Sequence, residues 1–238
     1  MHPHPASARI ALSLAAFAAF AVLPPAAAAQ ALPEEFSVSG TVLLATDYIS
    51  RGQSFTGGKP FILGSLDLAH DSGAYAGLYG GNVDFGDDES NSEFGFYAGW
   101  AGEVQGFSLD TNAYYYIYPG VPEEFEYDYL EFGATIRRTL GAFTPRLRAN
   151  WSPDYFGGRG DEFYLRGGLR YDVPQLDGLA LDSWVGHQFG DTAVPQFVDW
   201  GASISYAIPD VGRVQLLWSD ADLSGVGDRL TLGIGRTF

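Results

Sequence analysis

Twelve strand-length segments run from Phe36 to Phe238, and the connections between them are alternately long and short. Within a segment, apolar and polar residues alternate. Phe143, Leu147 and Trp151 fall on one face, and Thr144, Arg146, Arg148 and Asn150 on the other. A period of two is the signature of a strand with two unlike faces. The last segment, Leu230-Thr-Leu-Gly-Ile-Gly-Arg-Thr-Phe238, shows it plainly: Leu230, Leu232 and Ile234 point one way, Thr231, Gly233 and Gly235 the other. An even number of such strands brings the last beside the first, and closing the sheet removes both unpaired edges.

The predicted strands cover 36–48, 61–70, 74–85, 93–104, 107–118, 127–138, 143–151, 163–172, 179–189, 197–208, 211–219 and 230–238. Connections after the odd-numbered strands are long and mostly acidic, and those after the even-numbered strands are short turns. Outer-membrane barrels have this asymmetry, with strands apolar outward and polar inward. The expected fold is therefore all-β: a transmembrane up-and-down antiparallel β-barrel of about twelve strands. A soluble barrel or sandwich also alternates, with its apolar face inside. Lys59 is the only lysine; a solvated exterior with almost no lysine is the poorer fit. The mean hydropathy of −0.02 is no objection, because the two faces of a barrel strand cancel in an average.

Residues 1–31 read as a secretory signal peptide and 32–238 as the barrel. Arg9 precedes an apolar run from Ile10 to Leu23, and Ala29-Gln30-Ala31 fits a small-x-small cleavage site. The run is shorter than the roughly 20 residues that span a bilayer. The expected location is the bacterial outer membrane, with lipid and lipopolysaccharide as surroundings. The barrel-insertion machinery would be a partner during assembly. Phe238, an aromatic residue closing an alternating strand, resembles the terminal assembly signal of such barrels. A net charge of −16 disfavours nucleic acid as a partner.

Four stretches carry a resemblance to a known family: Val38-Ser-Gly-Thr-Val-Leu-Leu-Ala-Thr-Asp-Tyr-Ile-Ser-Arg-Gly52, Asp67-Leu-Ala-His-Asp-Ser-Gly-Ala-Tyr-Ala-Gly77, Gly81-Asn-Val-Asp-Phe85 and Tyr115-Tyr-Ile-Tyr-Pro-Gly120. Together with Trp151-Ser-Pro-Asp-Tyr155, they resemble the proteobacterial TorF family of porins. The chain departs from the family pattern at Arg51-Gly-Gln-Ser-Phe-Thr56. The resemblance implies a pore; it brings no substrate and no site residues.

The sequence does not point to an enzyme or to a cofactor. Beyond the signal segment the histidines are His70, in a short turn, and His187, whose parity with Leu181 and Val185 points it to lipid. Neither pairs with a nucleophile. Acidic residues Asp87, Asp88, Glu89, Glu123, Glu124, Glu126, Asp161, Glu162, Asp220, Asp222 and Asp228 fall in the long loops, as a solvated surface or as a divalent-cation bridge to lipopolysaccharide. Parity sends Arg146, Arg148, Arg166 and Arg170 inward from two adjacent strands, either as a basic pore-lining patch or as residues paired with lumen carboxylates that plug the barrel. Asp67, Glu93, Asp110, Asp182 and Asp199 are the inward acidic residues, expected mainly away from that patch. The resulting expectation is a channel for passive diffusion of small hydrophilic solutes. The alternative is a filled barrel with a structural or adhesion role and no conductance, since twelve strands lie between filled eight-stranded and open sixteen-stranded barrels.

Overall fold

The computed structural model describes residues 32–86 and 90–238. The proposed signal segment and the loop residues Asp87, Asp88 and Glu89 lie outside the described residues. The strands are β1 (Phe36–Ala45), β2 (Ile49–Ser50), β3 (Gln53–Ser54), β4 (Phe61–His70), β5 (Ala74–Asn82), β6 (Ser92–Val104) and β7 (Phe107–Ile117), then β8 (Tyr129–Arg137), β9 (Phe143–Ser152), β10 (Glu162–Asp172), β11 (Leu179–Gly190), β12 (Phe197–Ile208), β13 (Gly212–Ala221) and β14 (Arg229–Thr237). β1 and β4–β14 form one closed antiparallel barrel of twelve strands, and β2 with β3 forms a separate two-stranded hairpin. One short 3-10 turn, Glu123–Phe125, sits in a long loop.

Closure is made by β1 and β14, from Thr41 opposite Thr237 to Ala45 opposite Gly233. The two threonine hydroxyls lie 2.8 Å apart. The Phe238 N–H donates to the Gly40 carbonyl at 3.0 Å, so pairing continues one residue past β14. The Phe238 ring is exposed and lies under the Arg236 guanidinium, 4.5 Å from centroid to Cζ.

The outward face is apolar. Leu66, Leu78, Phe96, Leu147, Leu165 and Leu216 are exposed along the strands, with many like them. An apolar belt of that extent does not face water in a monomeric soluble protein. Both rims carry tryptophans whose indole N–H reaches a polar group. Trp100 donates to the Ser72 carbonyl at the short-turn rim (2.9 Å), and Trp151 donates to Asp161 at the long-loop rim (3.2 Å). Aromatic girdles at both interfaces are the expected finish of a barrel in lipid.

The inward face is divided. Leu43, Phe61, Leu63, Tyr75, Tyr79, Tyr97 and Tyr114 pack into a buried cluster on β1 and β4–β7. Apolar residues therefore point inward in this sector, and the simple apolar-out, polar-in rule fails there. On β5 and β6 the inward positions interlock: Tyr75 opposes Gly99, Gly77 opposes Tyr97, and Tyr79 opposes Gly95. Each ring lies over the glycine across from it. A Cβ on Gly95 would sit 2.0 Å from the Tyr79 ring, and one on Gly77 would sit 2.4 Å from Tyr97. The glycines are what let this wall hold tyrosines at every second position.

Candidate functional site within the barrel

The first long loop does not stay outside. It runs from Thr46 to Pro60, and its β2–β3 hairpin turns at Arg51-Gly52, with φ of 49° and 76°. Two successive positive φ angles make the type I′ turn that suits a two-residue hairpin. Gly52 fits the second position, and its α-carbon packs against the wall: a Cβ there would lie 2.8 Å from Ala221 Cβ and from the Asp220 carbonyl. Arg51, by contrast, holds a left-handed conformation that disfavours any side chain, a cost on the order of 1–2 kcal/mol. The hairpin is braced by Asp47, which accepts from Ser54 Oγ (2.6 Å) and Thr56 Oγ1 (2.8 Å). Outside it, Lys59 pairs with Asp84, and that hydrogen bond holds the Asp84 carboxyl below its usual range.

Arg51 crosses the interior to the far wall. Its guanidinium donates to Glu162 Oε1 (2.5 Å) and Gln188 Oε1 (2.8 Å) and pairs with Glu131. It lies 4.4 Å over the Tyr164 ring. Three strands, β8, β10 and β11, thus converge on one side chain from the first loop. Burial opposes the charge on Arg51, but Glu131 and Glu162 outweigh it and hold the guanidinium protonated. Glu162, expected in a solvated loop, is fully buried. β10 begins at Glu162, one residue earlier than its pattern suggested, and its parity with Tyr164 and Arg166 turns it inward.

The acidic residues expected inside are held by named partners. Asp67 accepts from Tyr97 and from Ser65 (2.9 Å), and Asp110 accepts from Tyr75 (3.0 Å). Glu93, fully buried, accepts from Tyr79 (2.8 Å) and Tyr118 (2.7 Å). Asp199 accepts from Tyr164 (2.8 Å) and Trp184 (3.0 Å). Asp182 corrects the expected separation of charge. It opposes Arg170 in register on the next strand, and it binds both Arg146 (2.9 Å) and Arg170 (3.3 Å). Arg170 also pairs with Asp172 (2.6 Å).

The four arginines therefore divide into two pairs. Arg146 and Arg170 are tied to carboxylates, whereas Arg148 and Arg166 make no carboxylate ion pair among the described residues. Both unpaired arginines line a cavity of ≈ 100 Å³ beneath the hairpin, together with Arg51, Tyr97, Tyr114 and Tyr116. That space is large enough for several waters, since one needs roughly 10–15 Å³.

A family model described as "Bacterial protein of unknown function (Gcw_chp)" matches residues 27–227. The chain belongs to the Gcw_chp family. No curated protein matches it by sequence. Among solved structures, this Gcw_chp chain is similar to the KdgM porin, with a TM-score of 0.59 at 8% identity over 84% of this chain and 98% of that one. A second KdgM structure, in complex with disordered oligogalacturonate, gives 0.57 at 9% identity, covering 84% and 97% of the two chains. An outer-membrane channel from Pseudomonas putida F1 gives 0.52 at 13% identity, covering 91% of this chain and all of that one. At these identities the likeness is one of fold.

In this Gcw_chp barrel, Arg51, Glu131 and Glu162 form the central polar contact, and the sequence reading placed none of them there. One signal was available: Arg51-Gly52 is a two-residue turn flanked by Ile49-Ser50 and Gln53-Ser54, a short hairpin inside a loop. His70 and His187 take no part in the interior. His70 bonds Ser72 at its turn (2.8 Å), and His187 is exposed on the outer face.

Proposed function

We propose that this Gcw_chp protein is an outer-membrane channel that passes small hydrophilic solutes by passive diffusion. The observation that carries the reading is the nature of the closure. The lumen is crossed by one hairpin whose tip is held by side-chain hydrogen bonds and ion pairs, above a polar cavity. Water can replace polar contacts of this kind, at a net cost of about 1.5–3 kcal/mol for a hydrogen bond to a charged group, so the hairpin can yield where a packed apolar core could not. The resemblance to TorF-family porins and the porin fold support the same reading, as does the outward apolar belt. In this proposal the segment 1–31 is removed on export, the mature chain begins near Leu32, and the protein carries no catalytic activity. The long loops face lipopolysaccharide, and acidic loop residues such as Glu123, Glu124 and Asp222 form a solvated outer surface.

Liposome swelling tests it. Vesicles containing the refolded full-length barrel, placed in an isotonic solution of a small sugar or amino acid, swell faster than protein-free vesicles, and the rate falls with solute size. Swelling equal to that of protein-free vesicles would reject the channel. The second reading, a filled barrel with a structural or adhesion role, is favoured by one observation: Arg51 reaches from wall to wall above a cavity of ≈ 100 Å³.

A further inference from the structure

Arg148 on β9 and Arg166 on β10 oppose each other directly in register. Like charges in directly opposed cross-strand positions are destabilising, and neither arginine makes a direct carboxylate ion pair among the described residues. Asp199 acts on Arg166 only at longer range, and Glu93 and Glu131, which line the same cavity, are engaged by Tyr79 and Tyr118 and by Arg51 and Asn150. Arg148 donates from Nε to Asn150 Oδ1 (2.7 Å), and its two terminal nitrogens have no acceptor among the described residues. Arg166 lies 4.3 Å over the Trp184 ring, and its buried Nε has no hydrogen-bond partner among the described residues. Both side chains are half-buried and retain access to solvent. Both face the same cavity, which Tyr97, Tyr114 and Tyr116 also line. Those three rings are stacked in sequence, with centroids 4.9 Å and 5.8 Å apart.

We infer that Arg148 and Arg166 form a binding site for a small organic carboxylate in transit. Two guanidinium forks present planar pairs of N–H donors, the geometry that a carboxylate accepts bidentately. The aromatic side of the cavity supplies apolar surface for the body of the solute, which an inorganic anion cannot use. The nearby pairing of Arg146 and Arg170 with Asp182 marks the contrast: this wall satisfies two of its arginines internally and leaves two open toward the cavity. The inference rests on the channel reading for its meaning in transport, but the site exists or fails independently of conductance.

Isothermal titration of the refolded full-length protein with acetate, butyrate, sulfate and chloride, at constant ionic strength, tests it. Butyrate binds saturably and more tightly than acetate, by up to about fifteenfold if its two extra methylenes are fully buried. Sulfate and chloride bind more weakly than butyrate. Arg148→Gln and Arg166→Gln each weaken butyrate binding at least tenfold, and Arg138→Gln, at the short-turn rim, leaves it unchanged. Arg148→Lys keeps the charge but loses the fork, and it weakens binding by a smaller factor, so the test survives a glutamine variant that does not fold. Butyrate affinity equal to that for sulfate, or unchanged in the Arg148 and Arg166 variants, overturns the inference. A protein that conducts ions without binding butyrate retains the channel and loses the site; one that binds butyrate but never conducts retains the site and loses the channel.

Discussion

Arg51 and Glu162 meet at 2.5 Å across the interior of the barrel, although they lie 111 residues apart in the chain. The contact ties the first loop to β10 on the far wall, and Glu131 on β8 shares the same guanidinium. Arg51→Ala leaves two inward carboxylates without their cation. Removing one partner of a buried pair costs about 3–5 kcal/mol when the other stays dry. Water entering from the mouth reduces that here, and we expect a loss of about 1–3 kcal/mol. Urea unfolding of the refolded protein in detergent measures it, and a midpoint equal to wild type would contradict the assigned role.

Gly95 is predicted to tolerate nothing larger. Gly95→Ala drives a Cβ into the Tyr79 ring, which is itself held by Glu93. Overpacking of this kind costs roughly 1–3 kcal/mol. Gly167, on the outward side of β10, has open space around its Cβ position, and Gly167→Ala is expected to be neutral within about 0.5 kcal/mol. Equal unfolding midpoints for the two variants would show that the tyrosine–glycine interlock carries no weight.

Leu147 reports on the surroundings of the outer face. It is exposed near the middle of β9, so in a bilayer Leu147→Arg costs about 2–4 kcal/mol. In a soluble protein the same exposed change would shift stability by at most about 0.5 kcal/mol. Equilibrium unfolding from lipid vesicles separates the cases, and a near-zero change would argue against a lipid-facing belt.

These predictions draw unequally on what the sequence shows. The twelve barrel strands were legible, most boundaries to within two residues, because period-two alternation over nine or more residues leaves little freedom. The β2–β3 hairpin was not, since two-residue strands such as Ile49-Ser50 contain no period to detect. Tyr48 was counted with the first strand, although β1 ends at Ala45. Parity identifies two faces without saying which inward groups meet. It sent Arg146 and Arg170 inward and left pairing with a lumen carboxylate such as Asp182 as one of two readings, without showing that Asp182 lies between them. It also gave no sign that Leu43, Phe61 and Leu63 fill one side of the lumen, because an apolar residue reads the same whether lipid or a tyrosine wall receives it.

Asp182 offers a test of the charge balance inside. Asp182→Asn releases Arg146 and leaves Arg170 to Asp172 alone, adding positive charge to a wall where Arg148 and Arg166 are already unpaired. Rings of arginine favour anions, so the reversal potential in a KCl gradient is expected to move toward chloride. Arg148→Ala combined with Arg166→Ala moves it toward potassium. An unchanged potential in both variants would mean that these side chains lie off the conduction path.

Phe238 is expected to matter more for assembly than for the finished barrel. Its backbone extends the β1–β14 pairing by one residue, but its ring is exposed and contacts Arg236. Phe238→Ala should lower the amount reaching the outer membrane several-fold while changing the unfolding midpoint little. Equal surface levels of the two forms would remove the proposed signal.

Single-channel conductance in planar bilayers, comparing the wild type with Arg51→Ala, tests the central claim most directly. The account predicts small discrete steps for the wild type and steps several-fold larger for Arg51→Ala, because the hairpin then leaves the far wall. A bilayer that stays silent with both proteins, each shown to be folded and inserted, would contradict it and leave a filled barrel in its place.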